Sequence, residues 1–479
     1  MKRDSLKILY ASSEAFPFAV SGDAGEIAGS LPQQIKLLGA DIRVVLPFYA
    51  TIPRRYRQEA KKISEFTVSL CWRNQYCGVF QLSQCGVTYY FIDNEYYFGR
   101  QALYGFYDDG ERFAFYSKAI IEMLPRIGFI PDVIHTNDWF TAASSIYLCG
   151  HFRLHDGIYR NIKCMHTICD FEKLGIFGME CLEDVFEMED IRNYVICDGA
   201  VNLTAGACHF ADEITVFCES PDTNAPSINS AVFSKLPDGC REKLHTITLG
   251  IDTDDYRPSV DAELPCRYDV SDFGGKHCCK AELQRRLGLP DRCDVLMAAV
   301  VSKLTDAAGM ELLTDALPEI LHEDIQLVVL GAGDTENEMK IRELSRTMHD
   351  KVAAVIRYDR TLSRLIYAGA DILLSPQREG FSNMNQMIAA RYGTVSVSYS
   401  RGIFSGNSYN TDTGDGTVFL FDSYSVSSML CEFDRARRLF LCEKDRWNEL
   451  IGRIMRLDNS IKYTAQEYYD LYKSICNPG

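Results

Sequence analysis

Four short stretches place polar side chains directly after apolar runs, where they can meet a ligand. Glu14, Gly22, Gly25 and Glu26 follow Leu6 to Ser12, and Asn137 and Asp138 follow Val133-Ile134-His135-Thr136. Lys303 follows Val295 to Val301, and Glu379 and Gly380 follow Ile372-Leu373-Leu374. Such runs read as strands buried on both faces of a parallel sheet, and loops at the carboxyl ends of these strands are where open α/β sheets bind ligands. The loop from Ser13 to Glu26 contains glycine and opens onto a helix. That is the layout of a phosphate cradle, in which N–H groups and the helix dipole attract an anion. Gly22 and Gly25 alone fit a plain strand-to-helix turn equally well.

The elements that must position these residues follow from patterning. Ser375 to Asn383 reads as a loop and Met384 to Arg391 as the helix after it. Gly78-Val79-Phe80-Gln81-Leu82 and Val87-Thr88-Tyr89-Tyr90-Phe91-Ile92, joined through Gln84-Cys85-Gly86, read as a β-hairpin. Ala211 to Val216 reads as the last strand of a first domain. Pro221 to Asp238, rich in Ser, Asn and Pro, reads as a flexible loop on a cleft. The tail from Lys462 to Tyr472 reads as an amphipathic helix.

At 479 residues the chain is too long for one core and implies two domains. Its apolar content of 47% and charged content of 24% are ordinary for a globular protein. A formal charge of −16 argues against nucleic acid and anionic membrane as partners, since a polyanion is repelled, and is compatible with a neutral substrate such as a glucan. The eighteen cysteines form no Cys-x-x-Cys pair, and the apolar run near Met1 is too short for a signal sequence or a membrane span. These features predict reduced, mostly buried thiols in a cytoplasmic protein, with no metal and no cofactor.

The motifs resemble the bacterial glycogen synthases and plant starch synthases from about Leu6 to Ile475. The resemblance rests on Arg391-Tyr392-Gly393-Thr394 closing the helix after the Glu379 loop, on Tyr10 to Pro47, on Phe91 to Ser117, and on His135-Thr136-Asn137-Asp138-Trp139. It implies two doubly wound Rossmann-like domains facing across a cleft, the GT-B architecture. The implied division is an acceptor-side domain over 1–248, a nucleotide-sugar domain over 249–455, and a final helix over 456–479 crossing back to the first. The implied activity is retaining transfer of glucose from ADP-glucose to an α-1,4-glucan.

The chain departs from the family where the donor is held. The family's Lys-Thr-Gly-Gly-Leu loop falls on Val20-Ser21-Gly22-Asp23-Ala24, so a cation becomes apolar and a glycine becomes a carboxylate. The active-site histidine falls on Cys169, and His166, three residues earlier, should point to the opposite face. The second histidine of His-x-x-Asp-Trp-His falls on Phe140, and a family lysine on Thr204. The clamp Ser-Arg-Leu-x-x-Gln-Lys-Gly falls on Ser302 to Gly309, leaving Lys303 for the arginine and Ala308 for the lysine; the former keeps a charge but not the bidentate fork. The catalytic glutamate falls on Gly380, with Glu379 beside it, and the Thr-Gly-Gly phosphate loop on Arg401-Gly402-Ile403.

Glucosyl transfer needs cations and amides on the leaving diphosphate and fixed dipoles at the sugar. The leading expectation is therefore an inactive or very weak homologue that binds α-glucan or maltooligosaccharide, or a protein partner such as an active glycogen synthase. The alternative is a transferase of shifted nucleotide-glucose specificity using Lys303, Glu379 and Glu26 in relocated roles. Glu14, Gly22, Glu26, Asn137 and Asp138 are the expected substrate-binding residues, and Glu379 and Lys303 the catalytic candidates. The aromatics from Tyr89 to Tyr116 read either as core or as sugar-stacking surface.

Overall fold

The computed structural model describes residues 5–218, 237, 239–378, 384–400 and 407–476. They divide into two compact α/β units. The first contains 5–218, 237, 239–249 and 461–476, and the second 250–378, 384–400 and 407–460.

The first unit is built on a nine-stranded sheet. Its strands are β1 (Lys7–Ala11), β2 (Asp41–Pro47), β3 (Lys61–Leu70), β4 (Arg73–Gln84), β5 (Val87–Asp93), β6 (Val133–Asn137), β7 (Lys163–Ile168), β11 (Glu213–Cys218) and β12 (Leu244–Thr248), in the order β12-β11-β7-β6-β1-β2-β5-β4-β3. All pairs are parallel except β4 with β5 and β3 with β4. The hairpin turn places Cys85 and Gly86 at φ 48° and 77°, the left-handed pair that a two-residue turn of matching twist requires. A small antiparallel sheet joins β8 (Ile176–Phe177), β9 (Ile196–Cys197) and β10 (Ala200–Asn202).

Sequence patterning ends this sheet at Val216, and His245 to Pro258 resembles the family's interdomain linker, but Leu244–Thr248 is a further parallel edge strand, with Thr215 opposite His245. Its half-exposed, polar-alternating residues lack the apolar run by which a central strand is recognised. The C-terminal helix Ile461–Cys476 belongs to the same unit. Tyr468 and Tyr472, both fully buried, anchor it: the Tyr468 hydroxyl lies 2.9 Å from Thr167 Oγ1 and 3.1 Å from Thr215 Oγ1, and the Tyr472 hydroxyl 2.5 Å from His135 Nδ1. Glu467 caps the end of β12, accepting from Thr248 N at 2.6 Å and Thr248 Oγ1 at 2.8 Å.

The second unit carries a six-stranded parallel sheet of β13 (Leu296–Val301), β14 (Ile325–Gly331), β15 (Val352–Ile356), β16 (Ile372–Ser375), β17 (Val395–Tyr399) and β18 (Phe419–Phe421), ordered β15-β14-β13-β16-β17-β18. In both sheets the strand order reverses at an interior parallel pair, β1 with β6 and β13 with β16. Loops at such reversals part to leave a crevice at the carboxyl edge.

The cysteines depart from the sequence reading in two ways. Cys266 and Cys278 form a disulfide. Among the described free cysteines only Cys77, Cys164, Cys208, Cys240 and Cys279 are buried. Helical surface positions tolerate a small thiol, so cysteine count alone does not imply burial. No helix among the described residues is long and apolar enough to cross a membrane.

Candidate functional site

Five sequence-predicted residues meet at the carboxyl edge of the first sheet. Glu14 follows β1, is 5% exposed, and accepts a hydrogen bond from Ser21 N with Oε2, which folds the loop back over its own start. Gly22 precedes the helix Asp23–Leu37 with extended backbone, φ −176°, and a Cβ built there would meet nothing within 4 Å. The glycine is therefore not required by conformation; what the position offers is an open face. Glu26 lies half-buried in the first turn of that helix. Across the reversal, Asn137 donates through Nδ2 to Ala11 O at 2.9 Å and accepts from the Tyr10 hydroxyl at 3.0 Å, locking the ends of β1 and β6 together.

Asp138 is the most constrained member. It is 8% exposed and adopts φ 54°, a left-handed conformation rare for a residue with a side chain and one that clusters at functional sites. The strained turn aims its carboxylate at the next loop, where Oδ1 accepts from Cys169 N at 2.7 Å and Asp170 N at 3.1 Å. Cys169 itself is a neutral thiol. Burial pushes its pKa well above the ordinary value, and the carboxylates of Asp138, Asp170 and Asp23 push in the same direction. Asp23, at the head of the first helix, thus acts electrostatically on the position where the resemblance expects a histidine.

His166 does not replace that histidine. It is fully buried within the sheet, its Nδ1 lies 2.9 Å from Thr136 Oγ1, and burial lowers its pKa to about 3, as it does for His135. Phe140 stacks on Tyr104 with ring centroids 4.3 Å apart. Most of the aromatic stretch is likewise core: Tyr89, Phe91, Tyr97, Phe98, Phe113 and Tyr116 are all buried, while Tyr96 and Tyr107 are exposed.

In the second unit the reversal brings the β13 and β16 loops into contact, with Arg378 N donating to Ala307 O at 3.0 Å. Gly309 takes φ 86°, and a Cβ there would collide with the Pro376 carbonyl, so glycine is needed for this approach. Ala308 is half-buried beside it and Lys303 is exposed after β13. Glu379, Gly380 and Ile403 lie outside the described residues, as do 221–236 and 238.

Two residues at this edge carry roles that patterning missed. Asn385 Nδ2 donates to Val301 O at 2.8 Å, and Gln386 Nε2 reaches Ser375 Oγ at 2.9 Å and Ser398 Oγ at 3.0 Å. They pin the helix Met384–Arg391 to the ends of β13, β16 and β17. The only signal for them is their place in the first turn of the helix after the loop. Among the described residues no group of three or more His, Cys, Asp and Glu side chains gathers in metal-binding geometry.

Known proteins resemble this chain over nearly its whole length. The starch synthase catalytic domain profile matches residues 7–220. The glycogen synthase of Desulforamulus reducens is 38% identical, covering 98% of this chain and 99% of that protein, and that of Bacillus cereus strain B4264 is 36% identical, covering 98% and 100%. Among solved structures, the catalytic domain of starch synthase IV from Arabidopsis thaliana bound to ADP and acarbose superposes with a TM-score of 0.89 at 23% identity, covering 98% of this chain and 99% of that one. The sucrose-phosphate synthase of Thermosynechococcus elongatus superposes with a TM-score of 0.61 at 13% identity, covering 98% and 99%. The fold is that of the GT-B glycosyltransferases.

Proposed function

The chain belongs to the glycogen synthase and starch synthase family, and from that premise we propose that it is a glucan-binding homologue in which transfer from ADP-glucose is absent or very slow. The observation that carries this reading is the environment of Cys169. A neutral thiol stands where the family keeps a histidine, and Asp138, Asp170 and Asp23 all disfavour negative charge there. A diphosphate leaving group brings at least two negative charges to a site that should supply cations. Val20 and Ala308 stand where the family places lysines.

In this reading Glu14, Gly22, Glu26, Asn137 and Asp138 line the glucan-binding edge of the first unit, which serves as the acceptor side. The second unit is the remnant of the nucleotide-sugar side. A neutral oligosaccharide needs hydrogen bonds and apolar contact rather than cations, so the substitutions that remove the donor spare the acceptor. Lys303, exposed at the reversal of the second sheet, favours the second reading, a transferase of shifted donor specificity in which Lys303 and Glu379 act on a different nucleotide-glucose.

Calorimetric titration with maltoheptaose, ADP-glucose and UDP-glucose in turn separates the two. The proposal expects heat from maltoheptaose and none from either nucleotide sugar at concentrations up to about 1 mM, the weak end of substrate affinity. Tight binding of UDP-glucose selects the second reading.

A further inference from the structure

Strands β16 and β17 are held at their amino ends by one buried lysine side chain. Lys276, on the helix Gly274–Leu287, directs Nζ at the carbonyl oxygens of Ala370 (2.7 Å), Ala368 (3.1 Å), Tyr392 (3.3 Å) and Tyr367 (3.4 Å) and at Thr394 Oγ1 (2.8 Å). Tyr367 and Ala368 close the helix before β16, and Tyr392 follows the helix that leads to β17. The negative ends of two helix dipoles therefore meet one side chain. A second donor reaches the same place: the Tyr268 hydroxyl donates to Tyr392 O at 2.7 Å.

Tyr268 and Lys276 each lie two residues from a half-cystine. Cys266 and Cys278 are disulfide-bonded with their Cα atoms 6.0 Å apart, and Cys279 Sγ donates to Cys266 O at 3.3 Å. A Cβ on Gly275 would collide with the Arg267 carbonyl, so the two arms of the ring lie directly against each other. The disulfide thus closes a ring from which two donors converge on one carbonyl oxygen, in the Arg391-Tyr392-Gly393-Thr394 stretch that follows the candidate donor loop. Both Cys266 and Cys278 are partly exposed, whereas Cys279 beside them is buried. An external thiolate can reach the bond.

We propose that Cys266–Cys278 is an exchangeable disulfide, a redox modification site that sets how firmly Tyr268 and Lys276 hold the Tyr392 carbonyl. In the exchange, a thiolate of dithiothreitol attacks one sulfur and the other leaves as a thiolate that takes up a proton. The second thiol of the reagent, after losing its proton, attacks the reagent's own sulfur in the mixed disulfide and expels the second cysteine as a thiolate, which is protonated in turn. Two electrons pass to the cysteine pair and the reagent becomes its cyclic disulfide. Oxidised glutathione reverses the reaction and is itself reduced to two thiols. The stretch that responds is the segment from Tyr392 to Val395, whose Tyr392 carbonyl and Thr394 hydroxyl meet the ring.

The test uses the full chain and no activity, so its outcome is independent of the function proposed above. The protein is equilibrated in oxidised glutathione or in dithiothreitol, alkylated, and mapped by mass spectrometry, with melting temperature and amide exchange at 392–395 read in parallel. Cys266 and Cys278 should be protected together in the oxidised sample and alkylated in the reduced one. Reduction should lower the melting temperature by about 5 °C or more, as expected for releasing a short closed loop, and speed exchange at 392–395 by about tenfold. The Cys266→Ser/Cys278→Ser double variant should match the reduced protein and ignore the redox buffer, while Cys85→Ser/Cys293→Ser, at exposed sites elsewhere, should keep the full response. Alkylation of Cys266 and Cys278 to the same extent in both buffers overturns the proposal, as does a redox-dependent shift that survives in the Cys266→Ser/Cys278→Ser variant. The reduced wild-type protein supplies the comparison if that variant fails to fold.

Discussion

The carboxylate of Asp138 holds the backbone of Cys169, accepting its N–H at 2.7 Å across two adjacent strand ends. One residue at φ 54° therefore fixes the loop in which the resemblance expects a histidine and the chain has Cys169. In the proposed reading, the scaffold that would orient a catalytic group is present while the group itself is replaced by a thiol.

Replacing Asp138 by Ala should leave two part-buried N–H groups without their acceptor and cost about 2 kcal/mol of stability in urea unfolding. The same change removes one of the negative charges that raise the Cys169 pKa. The thiol should then ionise at lower pH, and its alkylation rate at pH 8 should rise, as read by mass mapping of Cys169 alone. An unchanged or slower rate would show that burial sets the thiol pKa without help from Asp138.

Acid should destabilise the first unit through its buried histidines. Burial lowers the pKa of His135 and His166 to about 3, below the ordinary value near 6.5. The unfolded chain binds protons between those values that the folded chain does not, so stability falls as pH drops from about 6.5 toward 3, by up to about 1.4 kcal/mol per pH unit for each histidine. Urea titrations at pH 7, 6 and 5 should show the decline, and His135→Gln should flatten it by about one proton. Parallel curves for the two proteins would mean that His135 is protonated in the folded state.

Repairing the electrostatics should restore nucleotide affinity before catalysis. Val20→Lys and Asp23→Gly in the first unit and Ala308→Lys in the second restore the groups that the resemblance expects for the donor phosphates, each well-placed charge-assisted contact adding about 1.5–3 kcal/mol. Cys169 and Gly380 remain unrepaired, and uniform binding does not raise the chemical rate. ADP-glucose should then bind measurably with little transfer, and Cys169→His with Gly380→Glu should be needed next. No gain in affinity for ADP or ADP-glucose in the triple variant would show that the phosphate positions have been wrongly matched.

Much of this architecture is legible in the sequence because parallel strands buried on both faces appear as continuous apolar runs; β13, β14 and β16 are recognised that way. Strand β12 is not, because an edge strand with half-exposed Leu244, His245 and Thr246 carries no such run. The candidate residues Glu14, Asn137 and Asp138 are legible from their place after β1 and β6. Their partners are not: the Asp138 contact with Cys169 spans 31 residues and depends on which strands are neighbours. Cys266 pairing with Cys278 is hidden for the same reason, since spacing among eighteen cysteines leaves the connectivity open.

The most direct test of the central claim is incorporation of labelled glucose from ADP-glucose into glycogen by the purified chain. The account predicts no incorporation above background, because the proposed function takes six positions where the resemblance expects donor-binding groups, Val20, Asp23, Cys169, Ala308, Gly380 and Ile403, to lack them. Turnover above about 1 s⁻¹, the low end of the usual range for enzymes, would contradict it.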